Sequence, residues 1–425
     1  MNSEFKIMPK EIETNDYIRF TKEMKKNYKI LAPNMLPMHF KLLGKVLKDD
    51  GFDIEFLEDD VRDIIEEGLK YSNNDICYPA MIVIGQFISA LKSGRYDINK
   101  TAVLMTQTGG GCRASNYIHL IRKALENSGF KEVPAIGLSA SKIEDHPGIN
   151  FSPELIIKMF HAIIYGDLLM CLYNQVKPYE IRENDADRVL EDTVEYLKNT
   201  FNTKAYLKVD KISKEVINRF NSVKIKKTDK IKVGIVGEIY MKYSRMGNNN
   251  LEEFLIKEGA EVVQSGLMDF INYCIIDNIM DYKLYKKNFK RAELAKMLYK
   301  IVLKIQRKVN ANIEKYSTFR APTDFEELRK LTEGYISQGV KMGEGWLLVA
   351  NMLELINIGA KNIVCAQPFG CLPNHICGRG AIRKIVDKNP DANIVVIDYD
   401  PSQSVINQEN RIKLMLSNAK LNSYL

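Results

Sequence analysis

The sequence predicts an α/β protein built from two Rossmann-like lobes with parallel sheets and a helical connecting layer. Short apolar runs alternate with amphipathic helical runs in two separate regions of the chain. This alternation is typical of parallel strands joined by helical crossovers. At 425 residues the chain is also too long to form only one hydrophobic core of ordinary size. We therefore predict an N-terminal lobe at residues 1–150, a helical connecting region at 151–229 and a C-terminal lobe at 230–425.

The hydrophobic pattern assigns the elements of the first two regions. Residues 1–27 are polar and form an arm or a short helix. Strands are predicted at Tyr28–Pro33, Phe52–Leu57, Thr101–Thr106 and Val133–Leu138, and helices at Met38–Asp49, Val61–Tyr71, Pro79–Lys92 and Asn116–Asn127. The connecting region carries little strand signal and three helical patterns, at Pro153–Gln175, Asp185–Thr200 and Ser213–Val223.

A second alternation of strands and helices begins near Lys230. Strands are predicted at Lys232–Ile239, from Glu261, at Asn362–Val364 and at Asn393–Asp398, and helices at Leu251–Glu258, Tyr282–Glu314, from Gly343–Trp346 to Asn357, at Ala381–Lys388 and at Ser402–Asn418.

The composition predicts a soluble, cytoplasmic protein. The chain is 45% hydrophobic and 27% charged, and no apolar run approaches the roughly 18–20 residues of a membrane span. Lysines are spread along the chain and the net charge is only +7, so neither a nucleic-acid nor a membrane partner is expected. Seven cysteines in such a chain predict metal ligands or free thiols, not a disulfide framework.

Three cysteines share one unusual context. Cys77, Cys112 and Cys371 each lie in a loop rich in Pro, Gly or Asn, directly before a predicted helix. The positive end of a helix dipole lowers the pKa of a thiol and favours thiolate, the form that binds metal. Backbone N–H groups there also donate hydrogen bonds to sulfur, which tunes an iron–sulfur cluster. Reactive or structural thiols are the alternative interpretation.

The spacing of the cysteines favours an iron–sulfur cluster between the lobes over structural zinc. No two cysteines are closer than six residues, whereas structural zinc sites usually take ligands as close pairs. Cys365, at a strand end, is a fourth ligand candidate. Cys377 ranks last, because six residues of helix turn through about 600° and separate it from Cys371. The glycines before Cys112 are expected to let the backbone approach a bound group: Gly109, Gly110 and Gly111.

Other chemistry is sparse in this sequence. Glu238 and Glu344 are candidate acid–base residues, although a solvated or capping carboxylate explains each at least as well. His375 is a further weak candidate that could donate to a cluster sulfur or to substrate, although an ordinary hydrogen-bonded loop histidine explains it better. Cys171 and Cys274 lie in apolar helical runs and are interpreted as core residues. No phosphate-binding loop of the GxxxxGK[ST] or GxGxxG type occurs, so no ATP site is expected in this chain.

Several motifs resemble one known family. NDICYPA, QTGGGCRASNY, GEIYMKY, GEGW, CAQPFGCLPNH and IDYDPSQSVINQENRIKLM resemble the 2-hydroxyacyl-CoA dehydratase-related domain of the large acyl-CoA dehydratase activase-related proteins. The resemblance extends from about Tyr28 to Lys420. In those proteins the domain follows ATP-binding activase modules of the actin/Hsp70-like class, whereas here it stands alone.

The resemblance implies a cofactor, a partner and two classes of function. Cys77, Cys112 and Cys371, and less clearly Cys365, match cysteines that hold a [4Fe-4S] cluster or, in some relatives, a double-cubane [8Fe-9S] cluster. A separate ATP-hydrolysing activase delivers low-potential electrons, which a cluster-dependent lyase or reductase passes to an acyl-CoA or another small molecule. The alternative is a non-catalytic electron relay, scaffold or maturation partner. Relatives form homodimers or heterodimers, so a dimer is expected.

Overall fold

The computed structural model describes residues 17–58, 61–73, 75–107, 111–139 and 144–422. The described chain contains two four-stranded parallel sheets, which confirms the predicted α/β class. The strand order is β2-β1-β3-β4 in the first sheet and β6-β5-β7-β8 in the second. The strands are β1 (Lys29–Pro33), β2 (Asp53–Leu57), β3 (Thr101–Thr106), β4 (Ala135–Leu138), β5 (Lys232–Gly237), β6 (Glu261–Gln264), β7 (Asn362–Pro368) and β8 (Asn393–Tyr399).

Five helices surround the first sheet. They are α1 (Lys22–Asn27), α2 (Pro37–Asp49), α3 (Val61–Tyr71), α4 (Tyr78–Lys92) and α5 (Tyr117–Asn127). In the central strand β1, Ile30 pairs with Ile54 of β2 and Ala102 of β3. Every residue of α4 from Tyr78 to Ile88 is buried, as expected for a helix that is apolar on all sides. Cys77, directly before α4, therefore lies in the interior of the molecule.

The connecting region is helical, as predicted. It consists of α6 (Pro153–Val176), α7 (Asp185–Phe201) and α8 (Val209–Asn221). Among the described residues one stretch, Pro153–Tyr179, is long and apolar enough to span a membrane, with a mean hydropathy of 1.8, so the expectation of no such run was wrong. However, Tyr165, Leu169 and Leu172 of α6 are fully buried. These side chains therefore belong to the protein core.

The remaining helices lie in the same part of the chain as the second sheet. They are α9 (Ile239–Tyr243), α10 (Leu251–Lys257), α11 (Leu267–Tyr285), α12 (Phe289–Tyr316), α13 (Phe325–Leu331), α14 (Trp346–Asn357), α15 (Ile382–Lys388) and α16 (Val405–Asn422). The central strand β5 pairs with β6 and β7, with Ile235 opposite Gln264 and Val364. Both sheets thus have the central strand order of Rossmann-like lobes.

Two predicted boundaries differ from the structure for local reasons. The strand predicted at Lys232–Ile239 ends at Gly237, because the Glu238 carboxylate accepts a hydrogen bond from the N–H of Met241 and starts α9. The helical region predicted at Tyr282–Glu314 contains the end of α11 and most of α12. The chain turns between them because Lys286 and Asn288 adopt left-handed φ angles of 56° and 55°.

Apolar cores cross the predicted domain boundaries at residues 150 and 229. One cluster of buried side chains joins Ile30 of the first sheet, Leu169 of α6 and Trp346 of α14. A second joins Val83 of α4 with Ile235 of β5. The lobes are therefore packed against each other through continuous apolar contact, while the three-domain division stays a prediction.

Asp167 joins all three regions and provides a stability test. Its carboxylate accepts hydrogen bonds from His39 Nε2 (2.7 Å), Leu267 N (2.7 Å) and Met268 N (2.9 Å), which caps the N-terminus of α11. Asp167→Ala removes the cap and leaves its donors unpaired, so we expect a loss of about 2–3 kcal/mol in the free energy of unfolding. Urea titration measures it, with exposed Asp192→Ala, expected within about 0.5 kcal/mol of wild type, as the control.

Glu144 gives a pH-dependent prediction. Burial opposes its ionisation, but hydrogen bonds from His146 and Arg122 lower its pKa from 4.5 to about 2. Between these values the unfolded chain binds the extra proton, so stability falls as the pH falls from about 4.5 towards 2. After allowance for partial solvent screening, wild type should lose about 1–2 kcal/mol more than Glu144→Gln between pH 5 and pH 3. Parallel loss in both proteins, measured by urea unfolding, would contradict this assignment.

Candidate metal centre

The candidate centre lies where the carboxyl ends of central strands from both sheets meet. In the first sheet, β3 leads into the loop of Cys112. In the second, β5 ends directly before Glu238 and the neighbouring β7 ends three residues before Cys371. In each sheet these strands flank the point where the connections diverge to opposite sides, which is where open α/β sheets bind ligands.

The three predicted cysteines each precede a helical segment, as expected. Cys77 is the N-cap residue of α4 and Cys112 that of a short 3-10 helix, Arg113–Asn116, which continues into α5. Cys371 directly precedes a helical stretch that includes a π-helical turn at Asn374–Gly378. The local context predicted from the sequence is therefore confirmed for all three thiols.

Backbone contacts bring the loops of Cys77 and Cys371 together. Tyr78 N donates a hydrogen bond to Phe369 O across the lobes (3.0 Å). A Cβ atom on Gly370, whose φ is +70°, would lie only 3.0 Å from the Cα of Cys77. These two cysteines, 294 residues apart in sequence, thus belong to touching loops.

The loop of Cys112 joins the same place. The Arg113 guanidinium donates a hydrogen bond to the carbonyl of Asp75, two residues before Cys77. A Cβ atom on Gly343 would lie 3.8 Å from the Cβ of Cys112 and 2.6 Å from Pro373. The Gly343 loop therefore lies between the loops of Cys112 and Cys371, and all three thiol loops meet at the lobe interface.

The pKa values of the thiols contradict one prediction. The helix starts are expected to lower them, but burial raises the pKa of Cys77 to about 11. Burial also raises the pKa of Cys112 and of Cys371, and Glu238 and Glu344 raise both further. The backbone N–H groups act in the expected direction and are outweighed. The raised pKa values favour the protonated thiols, and a metal bound by them would have to displace those protons.

Two carboxyl groups from different loops accompany the thiols. Glu344 is buried and its Oε1 accepts a hydrogen bond from Ile239 N (2.9 Å). Burial and the neighbouring Glu344 raise the pKa of Glu238 to about 8, and burial raises that of Glu344. Burial therefore favours the protonated form of both carboxyl groups. The arrangement places two carboxyl groups with raised pKa values beside the three thiols.

The flanking glycines explain the position of Glu344. Gly345 has φ +46° and ψ −125°, a conformation that a side chain would strain. A Cβ atom there would lie 2.2 Å from Val340 O. This tight turn directs Glu344 towards the start of α9 and is the structural reason for the GEGW motif.

Tyr117 is a site residue that the sequence reasoning missed. Its hydroxyl lies 2.9 Å from the Cys77 sulfur, and both side chains are buried. The sequence contained a signal for it, because Tyr117 is the last residue of the QTGGGCRASNY motif and the first residue of α5. Tyr117 is positioned to hydrogen-bond a Cys77 thiolate, one of the interactions that set cluster potentials.

The structure separates Cys365 from the other thiols. It is fully buried in the apolar cluster beside Ile363 and Ile385, with its sulfur 3.4 Å from Asn374 Oδ1. Burial raises its pKa to about 12, and its nearest charged influences are Asp398 and Arg379. No described contact joins it to Cys77, Cys112 or Cys371, so its role as a fourth ligand stays a prediction.

Cys377 and His375 occupy the π-helical turn. Cys377 is buried, and both burial and the charge of Glu344 raise its pKa. Glu344 also raises the pKa of Cys112 and Cys371. Cys377 was ranked last among the candidate ligands on the assumption of a regular α-helix, and the helix is not regular at this turn. His375 is exposed, and its Nδ1 donates to the carbonyl of Cys371 (2.6 Å) while its Nε2 accepts from Gln367 (3.1 Å). It holds the turn together and uses both ring nitrogens to do so.

The remaining predicted residues have different outcomes. Cys274 is exposed, so its interpretation as a core residue was wrong; the thiol lies on the outer face of α11. Cys171 is partly buried and lines a cavity. Gly111 packs near Met342, since a Cβ atom on this glycine would lie 3.4 Å from that side chain, whereas Gly109 and Gly110 lie outside the described residues.

The donor set does not form a compact site for a single ion. Within the described residues no group of three or more His, Cys, Asp or Glu side chains lies close enough to hold one metal ion. A cuboidal cluster binds each thiolate at a separate iron and accepts ligands from spaced loops. Cys77 and Cys371 are buried, Cys112 is partly buried, and the three lie in separate loops.

Comparisons with known proteins do not assign a family. No protein-family model matches the chain, and no curated protein shows significant similarity to it.

Proposed function

We propose that this chain is an iron–sulfur protein of the 2-hydroxyacyl-CoA dehydratase and benzoyl-CoA reductase superfamily. In this proposal it accepts low-potential electrons from an ATP-dependent activase and passes them to a substrate, such as an acyl-CoA. The observation that carries the proposal is the meeting of Cys77, Cys112 and Cys371 at the lobe interface, beside Glu238 and Glu344.

The proposed cofactor is a [4Fe-4S] cluster held by these three thiols, which leaves one iron without a cysteine from this set. When bound, the cluster stores one electron at low potential and passes it on. The Tyr117 hydroxyl contacts the Cys77 sulfur. The buried surroundings of Cys77 and Cys371 would limit the access of water to a bound cluster, and the raised pKa of Glu238 would let it hold a proton near a reacting group. A double cubane requires more thiols than these three.

A non-catalytic relay, scaffold or maturation partner is the second candidate, and the cavities favour it. An open groove of about 390 Å³ lies between the lobes and includes Tyr78, Phe369 and Asp400. A cavity of about 100 Å³ in the helical layer includes Cys171, Asp269 and Glu354. Neither cavity is lined by Cys77, Cys112 or Cys371, although Ile76 and Tyr78 on either side of Cys77 line the groove.

ATP-dependent electron transfer tests the function. The anaerobically reconstituted protein is mixed with an actin/Hsp70-like activase encoded in the same genome, dithionite and ATP, and the cluster absorbance is followed. We expect partial bleaching that requires both activase and ATP. Bleaching that is equal with a non-hydrolysable ATP analogue would contradict the proposal.

The two candidate functions are separated by a second measurement with the same reduced protein. A substrate-reducing or dehydrating enzyme should be reoxidised, or should turn over, when acyl-CoA esters are added, with Glu238→Gln slower than wild type. A relay should instead be reoxidised only by a partner protein. Normal iron content in Glu238→Gln serves as the control for an intact cluster.

A further inference from the structure

The hairpin of α11 and α12 exposes an apolar surface that the candidate centre does not explain. We name it the hairpin patch. Its side chains are between 45% and 64% exposed: Leu284, Tyr285, Phe289, Leu294, Met297, Leu298 and Ile301. Isolated exposed apolar residues are ordinary on protein surfaces, whereas a contiguous set marks an interaction site.

The geometry of the hairpin makes this set contiguous. The rings of Tyr282 and Phe289 lie 5.2 Å apart and join the two helix ends across the turn. Along α12 the exposed residues from Leu294 to Ile301 recur at spacings of three and four, which places them on one face. The opposite face, with Tyr299 and Val302, is buried in the core. The helix is therefore apolar on two sides, and only one side is covered by this chain.

Unpaired cations surround the patch. Glu293 is the only acidic residue between Tyr282 and Ile313, and it pairs with Lys296. In the described part of the chain no ion pair neutralises the remaining cations around the patch: Lys283, Lys286, Lys287, Lys290, Arg291, Lys300 and Lys304. An occupant of this surface must therefore be both apolar and anionic.

The charge and the residue types decide between occupants. A second copy of the chain would place one cationic rim against another, which opposes self-association. Protein interfaces are depleted in lysine, yet six of these seven cations are lysines. Lysines around exposed Leu, Phe and Tyr are typical of surfaces that enter the headgroup layer of anionic membranes. We propose that the hairpin patch binds the surface of an anionic lipid membrane as a peripheral contact.

This proposal does not depend on the iron–sulfur proposal, and it departs from the expectation of no membrane partner. That expectation considered membrane spans and the spread of lysines along the sequence. It did not place the turn between α11 and α12, which brings together Tyr285, Phe289 and the flanking lysines. Only the folded hairpin combines the apolar stripe with the cations.

Vesicle sedimentation tests the proposal on the full chain. The probe is a vesicle of phosphatidylglycerol and phosphatidylcholine, with pure phosphatidylcholine as the neutral control. We expect binding to the anionic vesicles that weakens between 0.1 and 0.5 M salt. Lys286→Glu/Lys287→Glu/Lys290→Glu should weaken binding by at least about 30-fold, and Tyr285→Ser/Phe289→Ser/Leu294→Ser by at least about tenfold. The matched control, Lys224→Glu/Lys226→Glu, reverses exposed lysines that have no apolar neighbours of this kind and should bind within about threefold of wild type.

Several results would overturn it. They are absence of binding to anionic vesicles, equal binding to neutral vesicles, or equal weakening by the control variant. A lipid-free dimer in sedimentation velocity that the serine variant abolishes would assign the patch to self-association instead. Circular dichroism and thermal unfolding that match wild type show that each variant is folded, which the exposure of every substituted residue favours.

Discussion

Alanine in place of Cys77, Cys112 or Cys371 is expected to reduce the iron bound after anaerobic reconstitution by at least about tenfold. Each substitution removes one of the three thiols that the touching loops bring together. The remaining two thiols cannot hold a cuboidal cluster against solvent. Iron and sulfide assays, with the visible absorbance of the cluster, measure the loss.

Two other cysteines serve as controls, and two more test how far the site extends. Cys274→Ala removes an exposed thiol on the outer face of α11 and should leave iron content and stability unchanged. Cys171→Ala should also keep its iron, because this side chain faces the cavity in the helical layer. Cys365→Ala should lose stability, since its thiol is buried among apolar side chains, and its iron content tests the predicted fourth ligand. Iron loss in Cys365→Ala would establish it as a fourth ligand, and iron loss in Cys377→Ala would extend the site to the π-helical turn.

Gly370→Ala is expected to cause the second-largest loss of bound iron. The residue adopts φ +70°, which costs a non-glycine residue about 1–2 kcal/mol. Its added Cβ would also lie 3.0 Å from the Cα of Cys77, so the loops of Cys77 and Cys371 must separate. Because ligand geometry tolerates little displacement, we expect iron content to fall by about half or more, although every thiol is still present.

Gly359→Ala is the matched control for this substitution. Gly359 has a similar φ of +82°, and nothing lies within 4 Å of the position its Cβ would take. Both variants should therefore lose similar stability in urea unfolding, whereas only Gly370→Ala should lose iron. Equal iron content in the two variants would show that the close contact of these loops does not matter for the centre.

The sequence predicted the strand positions and the helix-start context of the three cysteines because both depend on local patterns. The runs that became β1, β5 and β7 are short and strongly apolar, and parallel strands buried on both faces read in this way. Cys77 precedes Pro79 in a turn-rich loop, a combination that marks a helix start in any fold.

The electrostatics of the site depended on tertiary contacts that no local pattern contains. Glu238 follows β5, whereas Glu344 lies over 100 residues later in a turn between two glycines. The burial of Cys371 and the approach of these two carboxyl groups raise the thiol pKa values. Only the effect of the helix dipole could be inferred from the sequence. The outward position of Cys274 on α11 has the same origin, because packing decides which face of an apolar helix is covered.

The most direct test of the account is the iron and acid-labile sulfide content of the protein after anaerobic reconstitution, combined with EPR of the dithionite-reduced sample. The account predicts a brown protein with about four irons and four sulfides per chain and the EPR signal of a reduced [4Fe-4S] cluster. A colourless, iron-free protein, or one that holds zinc in place of iron under the same conditions, would contradict it.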